Sequence, residues 1–190
     1  RNLQKLALIS ESSRGEVLEM YPRYHWLTAQ LDTLAVSDAR DFLTRHAGTP
    51  LAERFRSEWL KELGRRQDWT NYQVEYVRLD SPSVELRCFQ AQAAMAIGQN
   101  IEAALNAARP AWFSGQQQPA SCNPVFDALF TLGRLSTEDA WTRLRLALAA
   151  IPETVGRVTF NIYSPGGDVW AGNGIVHEIG KMKQTTVANV

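Results

Sequence analysis

Apolar residues recur at the spacing of an amphipathic helix through most of residues 21–150. The pattern is clearest over 52–63, 84–97 and 124–132. Apolar side chains three and four positions apart lie on one face of a helix, and that face has to be buried against another element. The pattern therefore predicts several packed helices in this region.

A glycine follows each of these three stretches: Gly64, Gly98 and Gly133, which lie 34 and 35 residues apart. A second amphipathic run begins a few residues after each glycine, at 68–72, 101–105 and 137–141. Helical hairpins repeated near this period are typical of tetratricopeptide-like proteins, whose hairpins stack into a solenoid. We expect each glycine to end its helix in the left-handed conformation, and Ser136 or Thr137 to cap the last helix. Three unrelated antiparallel helix pairs are the alternative.

Residues 151–190 have a different pattern. The stretch 158–164 alternates like a strand, 165–168 is a glycine loop, 169–183 has helical spacing and 185–190 again resembles a strand. This order predicts a parallel strand–helix–strand crossover. Pro152 disfavours helix at Ile151, so the helical region should end there.

The start of the chain predicts a strand hairpin over residues 5–21 that turns at 12–15. The predicted organisation is thus an N-terminal hairpin at 1–20, a superhelical segment at 21–150 and the crossover at 151–190. The fold class is mainly α: a helical-hairpin solenoid with a small β-hairpin or βαβ portion formed by the termini.

Composition and charge narrow the function classes. The chain has 190 residues, 45% of them hydrophobic, which argues against intrinsic disorder. Its 20 basic and 20 acidic side chains cancel, so no global field attracts nucleic acid or an anionic membrane. No uninterrupted apolar run reaches the roughly 20 residues that a membrane-spanning helix needs.

Cys88 and Cys122 occupy nearly equivalent places, ten and eleven residues before Gly98 and Gly133. Since the first helices of adjacent repeats are neighbours in a solenoid, a disulfide between the two is geometrically allowed. A disulfide would indicate an oxidising compartment. Two buried free thiols in a cytosolic protein are the alternative.

Several short runs in the helical region resemble the superhelical part of soluble lytic transglycosylases, periplasmic enzymes that cleave peptidoglycan. They are Tyr21-Pro22-Arg23-Tyr24, Arg65-Arg66-Gln67-Asp68-Trp69, Trp112-Phe113-Ser114-Gly115 and Gln118-Pro119-Ala120-Ser121-Cys122. The resemblance covers about residues 21–150, and Cys88 and Cys122 coincide with a cysteine pair of that family. It implies a scaffold that curves around glycan strands.

The resemblance does not imply catalysis. In that family the reaction belongs to a separate lysozyme-like domain, whose catalytic glutamate stands in a Glu-Ser motif that this sequence lacks. Glu58 follows Ser57, which is the reverse order, so we interpret it as a solvated helix carboxylate. His25 and His46 have no second histidine, cysteine or aspartate at ligand spacing, and we predict no metal and no cofactor.

The run from Asn161 to Gly172, with Ser-Pro-Gly-Gly at 164–167, resembles the oxyanion segment of Clp-type serine proteases, closest to phage prohead proteases. The resemblance implies that the backbone N–H of Gly167 serves the oxyanion hole and that Gly166 shapes the turn. The Gly-Ala-Ala-Ser-like run that holds that family's nucleophile is absent. We interpret Ser164 and His177 as non-catalytic residues.

The two resemblances belong to different architectures, so we consider an engineered chimera, a joining of unlike segments and a natural fusion. The first hypothesis is a non-catalytic scaffold segment of a lytic transglycosylase, inactive alone, which binds glycan strands of peptidoglycan. A fragment of a Clp-type protease without its nucleophile and a protein- or peptide-binding solenoid are the alternatives. We expect no nucleic-acid partner, an oligomer contact through 151–190, and a periplasmic location if the disulfide forms, or a cytoplasmic one otherwise.

Overall fold

A computed structural model describes residues 3–16, 18–152, 154, 157–161 and 185–189. In these ranges it has nine α-helices, two short 3-10 helices and two strands. The helices are α1 (Leu3–Ser12), α2 (Met20–Thr28), α3 (Val36–Arg45), α4 (Pro50–Arg65), α5 (Trp69–Tyr76), α6 (Val84–Ile97), α7 (Ile101–Ala108), α8 (Asn123–Thr131) and α9 (Thr137–Ala149). The 3-10 helices are Arg109–Trp112 and Ala120–Cys122, and the strands are β1 (Arg157–Asn161) and β2 (Thr185–Asn189). Among the described residues, no helix combines the length and apolar character that crossing a membrane requires.

The chain divides into two compact units. Unit 1 comprises Arg1–Ala108 and Pro119–Val125, and unit 2 comprises Arg109–Gln118 and Phe126–Val190. The mainly helical fold agrees with the fold class expected from the pattern. The predicted segment limits at residues 20 and 150 stay a prediction.

The core of unit 1 forms around α4, which packs against α2, α3, α5 and α6. Four large aromatic side chains are almost completely buried there: Phe42, Phe55, Trp59 and Tyr72. The Tyr72 hydroxyl donates a hydrogen bond to the carbonyl oxygen of Leu86 at 2.6 Å, so its polar end is satisfied inside the core. Together these contacts fix α4, α5 and α6 against one another.

Helix ends agree with their sequence signals in α6 and α9. The α6 helix begins after Ser83, whose hydroxyl oxygen accepts from the Leu86 N–H at 3.4 Å, and ends at Gly98 in the left-handed conformation (φ +79°). The α9 helix begins after Ser136, which forms a capping box with Asp139. It ends at Ala149, before Pro152, as the proline predicts.

The prediction for Gly64 is wrong. Gly64 lies inside α4 with helical geometry, and the left-handed turn after α4 falls on Gln67 (φ +59°). A Cβ on Gly64 would lie 2.5 Å from the Phe89 ring, so the glycine allows α6 to approach α4 closely. Glycine is needed at this position for close helix packing and not to end the helix. The regular spacing of the three glycines does not distinguish these two roles.

The N-terminal strand hairpin is also wrong, because Leu3–Ser12 is an α-helix. Leu6 and Ala7 are half-buried and Ser10 is buried, at helical rather than alternating spacing. The hydroxyl groups of Ser12 and Ser13 donate to the carbonyl oxygen of Ile9 at 3.1 and 2.7 Å. The predicted turn at 12–15 is therefore the end of a helix, and Gly15 there takes a positive φ of +80°.

Unit 2 contains the strand pair. β1 and β2 pair in parallel, with Arg157 opposite Thr185 and Asn161 opposite Asn189. β1 overlaps the stretch 158–164 and β2 falls within the stretch 185–190, both of which predict strands. The loop and helix predicted between them, at 165–183, lie outside the described residues.

Candidate functional site

The oxyanion-loop candidates lie outside the described residues. This applies to Gly166 and Gly167, and also to Ser164 and His177. Their roles stay a prediction.

Cys88 and Cys122 form a disulfide, with their Cα atoms 4.9 Å apart. Both residues are completely buried. The disulfide joins α6 to the 3-10 helix Ala120–Cys122, and two hydrogen bonds support it nearby. The Gln92 amide donates to the carbonyl oxygen of Ser121 at 2.6 Å, and the Ser121 hydroxyl donates to that of Glu85 at 3.4 Å. The alternative of two free thiols is thus excluded.

Glu58 is engaged in side-chain contacts, which corrects its interpretation as a solvated carboxylate. The Tyr24 hydroxyl donates to its two carboxylate oxygens at 2.9 and 3.1 Å, and Arg54 Nε donates to Oε1 at 3.2 Å. Burial, followed by the contact with Glu58, raises the pKa of Tyr24 above its ordinary value. The carboxylate joins α2 to α4, and its side chain is only 32% exposed.

His25 and His46 contact aromatic rings. The His46 ring lies 4.7 Å from that of Phe42, and the His25 ring lies 5.2 Å from that of Tyr24 in an edge arrangement. Within the described ranges, no group of three or more histidine, cysteine, aspartate or glutamate side chains is placed to hold a metal ion.

Unit 1 contains a buried charge cluster around Glu75 that the sequence pattern does not predict. Glu75 is completely buried, and Arg56 Nη1 donates to its Oε2 at 2.7 Å. Arg40 Nε donates to Oε1 at 3.1 Å, and a second nitrogen of Arg40 donates to Asn71 Oδ1. The partners lie 19 and 35 residues from Glu75, so no local pattern marks the cluster.

An aromatic cluster with one cation forms in unit 2. The Trp112 ring lies 5.1 Å from Phe126 and 4.9 Å from Phe130. The guanidinium carbon of Arg143 lies 4.3 Å from the centre of the Trp112 ring, and burial lowers the pKa of Arg143. Trp112 Nε1 donates to the carbonyl oxygen of Asp139 at 2.9 Å, which fixes the ring against the start of α9.

A cleft opens between α1, α2 and α3 of unit 1, and we call it the N-terminal cleft. It has an outer cavity of ≈ 470 Å³ and an inner cavity of ≈ 40 Å³, which share Ser10, Arg14 and Arg23. The outer cavity is further lined by Ala7, Leu8, Glu11, Trp26 and Asp38. The inner one is further lined by Glu19, Asp41, Phe42, Arg45 and His46. An aromatic ring beside several guanidinium groups suits a small polar ligand with negative charge.

Comparison with known proteins identifies relatives that match about two thirds of the chain. No protein-family model matches the chain. A soluble lytic murein transglycosylase of Salmonella typhimurium is 27% identical over 130 residues, and one of Escherichia coli K12 is 26% identical over the same length. These matches cover 68% of this chain and 20% of each relative, so the chain spans about a fifth of their length.

Solved structures agree with these matches. The 70-kDa soluble lytic transglycosylase of Escherichia coli superposes with a TM-score of 0.65 at 25% identity, over 76% of this chain and 23% of that protein. An inactive mutant of lytic transglycosylase Slt from Pseudomonas aeruginosa gives 0.62 at 30% identity, over 79% and 26%. A complex of the 70-kDa enzyme with bulgecin A shares the fold at 23% identity, with a TM-score of 0.67 over 79% and 24%.

The chain is therefore homologous to soluble lytic transglycosylases by sequence and by structure. These findings give no evidence for a Clp-type protease segment or for a chimera.

Proposed function

We propose that this chain is a non-catalytic helical scaffold segment of a peptidoglycan lytic transglycosylase, and that it contacts glycan strands. Its relatives are named murein transglycosylases, and the match covers 130 residues of this chain. Consecutive helix contacts of α4 with α5 and of α6 with α7 support a stacked helical-hairpin arrangement.

The hydrogen bonds and ion pairs of the glutamates in α4 and α5 support the non-catalytic part of the proposal. A general acid for glycosidic cleavage needs a protonated carboxyl near neutral pH, which requires a raised pKa. Arg40 and Arg56 neutralise Glu75, and Tyr24 and Arg54 engage Glu58. Hydrogen bonds, the largest from Arg66, lower the pKa of Glu62. These contacts favour structural carboxylates over a catalytic acid.

The disulfide supports a periplasmic location, because bacterial disulfides persist in that oxidising compartment. We therefore propose that this segment works outside the cytoplasm, where peptidoglycan is accessible.

Co-sedimentation with purified peptidoglycan sacculi tests the proposal. The oxidised chain should pellet with sacculi and remain in the supernatant with cellulose, a glycan without peptide stems. Mass spectrometry of the supernatant should detect no anhydro-muropeptides. Release of these products would contradict the non-catalytic assignment, and equal pelleting with cellulose or no pelleting with sacculi would contradict peptidoglycan contact.

A further inference from the structure

Arg23 is the central cation of the N-terminal cleft. Its guanidinium carbon lies 4.5 Å from the centre of the Trp26 ring, and it lines both cavities. In the part of the chain that the structure describes, Arg23 forms no ion pair. Stacking on an indole limits the freedom of a guanidinium group while leaving its in-plane N–H donors available. Arg23 is therefore pre-organised for an acceptor with two oxygens.

Two further arginines and a histidine line the inner cavity. Arg14 and Arg45 each hold one carboxylate, that of Glu11 at 3.2 Å and that of Asp41 at 3.0 Å. Each guanidinium group has five N–H donors, so one ion pair does not exhaust it. Glu19 accepts a hydrogen bond from the backbone N–H of Gly15 at 2.5 Å. The acids of the inner cavity are thus already bonded, while Arg23 has no carboxylate partner among the described residues.

We propose that the N-terminal cleft binds a carboxylate, which enters the inner cavity and accepts a bidentate hydrogen-bonded ion pair from Arg23. The inner cavity of ≈ 40 Å³ has room for a small group of this kind but not for a ring. Arg14 and Arg45, each paired with one carboxylate, have further N–H donors beside this cavity. Bidentate pairs of this geometry are among the strong polar interactions of proteins.

The size and the lining of the outer cavity limit the chemical groups that the rest of the ligand can have. Its volume of ≈ 470 Å³ lies in the range of small-molecule pockets. Leu8, which is 72% exposed, offers apolar contact there with Trp26. Glu11 and Asp38 also line this cavity, so a second negative group would be repelled. We infer a mono-carboxylate with a neutral or cationic body, such as a short peptide with one free carboxylate.

This inference rests on the geometry of the cleft and adds a ligand group to the proposed function. Peptidoglycan stem peptides are one source of such carboxylates, and free acylated amino acids are another. The test therefore uses three probes: muramyl dipeptide, its amide without the carboxylate, and N-acetylalanine. Protein labelled with 5-fluorotryptophan is observed by fluorine NMR, with the Trp26 signal assigned from Trp26→Phe.

Muramyl dipeptide should shift the Trp26 signal with a saturable dependence, and its amide should not. Arg23→Met should weaken binding about tenfold or more, and Arg23→Lys should restore it only in part because it lacks the fork. Arg65→Met, which changes an exposed arginine on α4, is the matched control and should bind normally. The Trp141 signal from unit 2 should not move.

Binding of N-acetylalanine as well would show that a free carboxylate suffices, and binding of muramyl dipeptide alone would assign the site to stem peptides. Equal binding of the acid and its amide, unchanged binding by Arg23→Met, or no shift with any probe at millimolar concentration would overturn the inference. Sacculus pelleting is measured on the same proteins. If the protein does not pellet with sacculi but muramyl dipeptide still shifts its Trp26 signal, only the proposed function is contradicted. If the protein pellets but the Trp26 signal does not shift, only the carboxylate site is contradicted.

Discussion

Glu75 shows how a single buried residue organises unit 1. Its side chain lies at a position without solvent, and two arginines from α3 and α4 pair with it. Arg78 adds a third, more distant contact at 3.7 Å. Burial of ions costs several kcal/mol each, and good geometry only offsets that cost. The cluster therefore contributes more to the correct pairing of α3, α4 and α5 than to net stability.

Loss of the Glu75 charge should be costly. We expect Glu75→Gln to lower the free energy of unfolding by about 3 kcal/mol, because the largely buried Arg56 would lose its closest carboxylate partner and keep only the longer contact with Glu53. Urea denaturation followed by circular dichroism measures this. Asp41→Asn, which breaks an exposed pair with Arg45, should cost no more than about 0.5 kcal/mol. Equal effects of the two changes would contradict the importance of burial.

Gly64 gives a second residue-scale prediction. Alanine in a helix interior normally stabilises relative to glycine by about 1 kcal/mol. At this position we expect Gly64→Ala to destabilise by about 1–3 kcal/mol, because its Cβ would meet the Phe89 ring at 2.5 Å. Combination with Phe89→Leu should remove most of that penalty. Additive unfolding energies of the two substitutions would show that the ring is not the obstacle.

At the scale of elements, the sequence predicts the bounds of a helix well where residues that favour a helix start or a helix end lie at its two ends. The predicted stretch 84–97 and Gly98 give the observed bounds of α6, and the structure adds Ser83 as the cap at its start. The α4 end was misplaced because Gln67, a residue with no strong turn preference, adopts the left-handed conformation. The α1 helix was misassigned because its short apolar pattern fits two periodicities and only burial against α2 distinguishes them.

The capping box of α9 should depend on pH. Hydrogen bonds from the backbone N–H and the hydroxyl of Ser136, with a smaller effect of Arg109, lower the pKa of Asp139. A lowered folded-state pKa contributes stability above the unfolded value near ~3.9, and that contribution is lost as the pH falls through the folded value.

We therefore expect Asp139→Asn to destabilise the protein by a constant amount above about pH 5, with the difference from the unmodified protein shrinking below about pH 4. Unfolding curves collected across this range measure the difference. Asp127→Asn, on the exposed side of α8, is the matched control and lies outside the capping box. A difference for Asp139→Asn that does not change with pH would contradict the role of its charge.

At the scale of the whole molecule, the helical class, the cysteine pairing and the likeness to lytic transglycosylases all followed from the sequence. The N-terminal cleft did not, because Arg14, Arg23 and Arg45 meet only after three helices have packed. Long-range packing also created the Glu75 cluster. Residues that come together only through tertiary contacts have no regular spacing in the sequence, so a single sequence does not reveal them.

The disulfide should be a major contributor to stability. Cys88 and Cys122 are 34 residues apart, and closing a loop of this size stabilises by roughly 3–4 kcal/mol in the chain-entropy description. We expect the double variant Cys88→Ala, Cys122→Ala to lose about that much free energy of unfolding. Reductant should destabilise the unmodified protein and leave the variant unchanged. Equal sensitivity of both proteins to reductant would contradict this assignment.

The same bridge has a consequence for backbone cleavage. The stretch between the two cysteines includes exposed Gln116 and Gln117, a site open to proteases. A cut there would divide the polypeptide, yet Cys88 and Cys122 would keep the two fragments covalently joined. A nicked molecule would migrate as one band without reductant and as two bands with it. The bridge would thus leave a chain that is cut once in this stretch as a single covalent molecule.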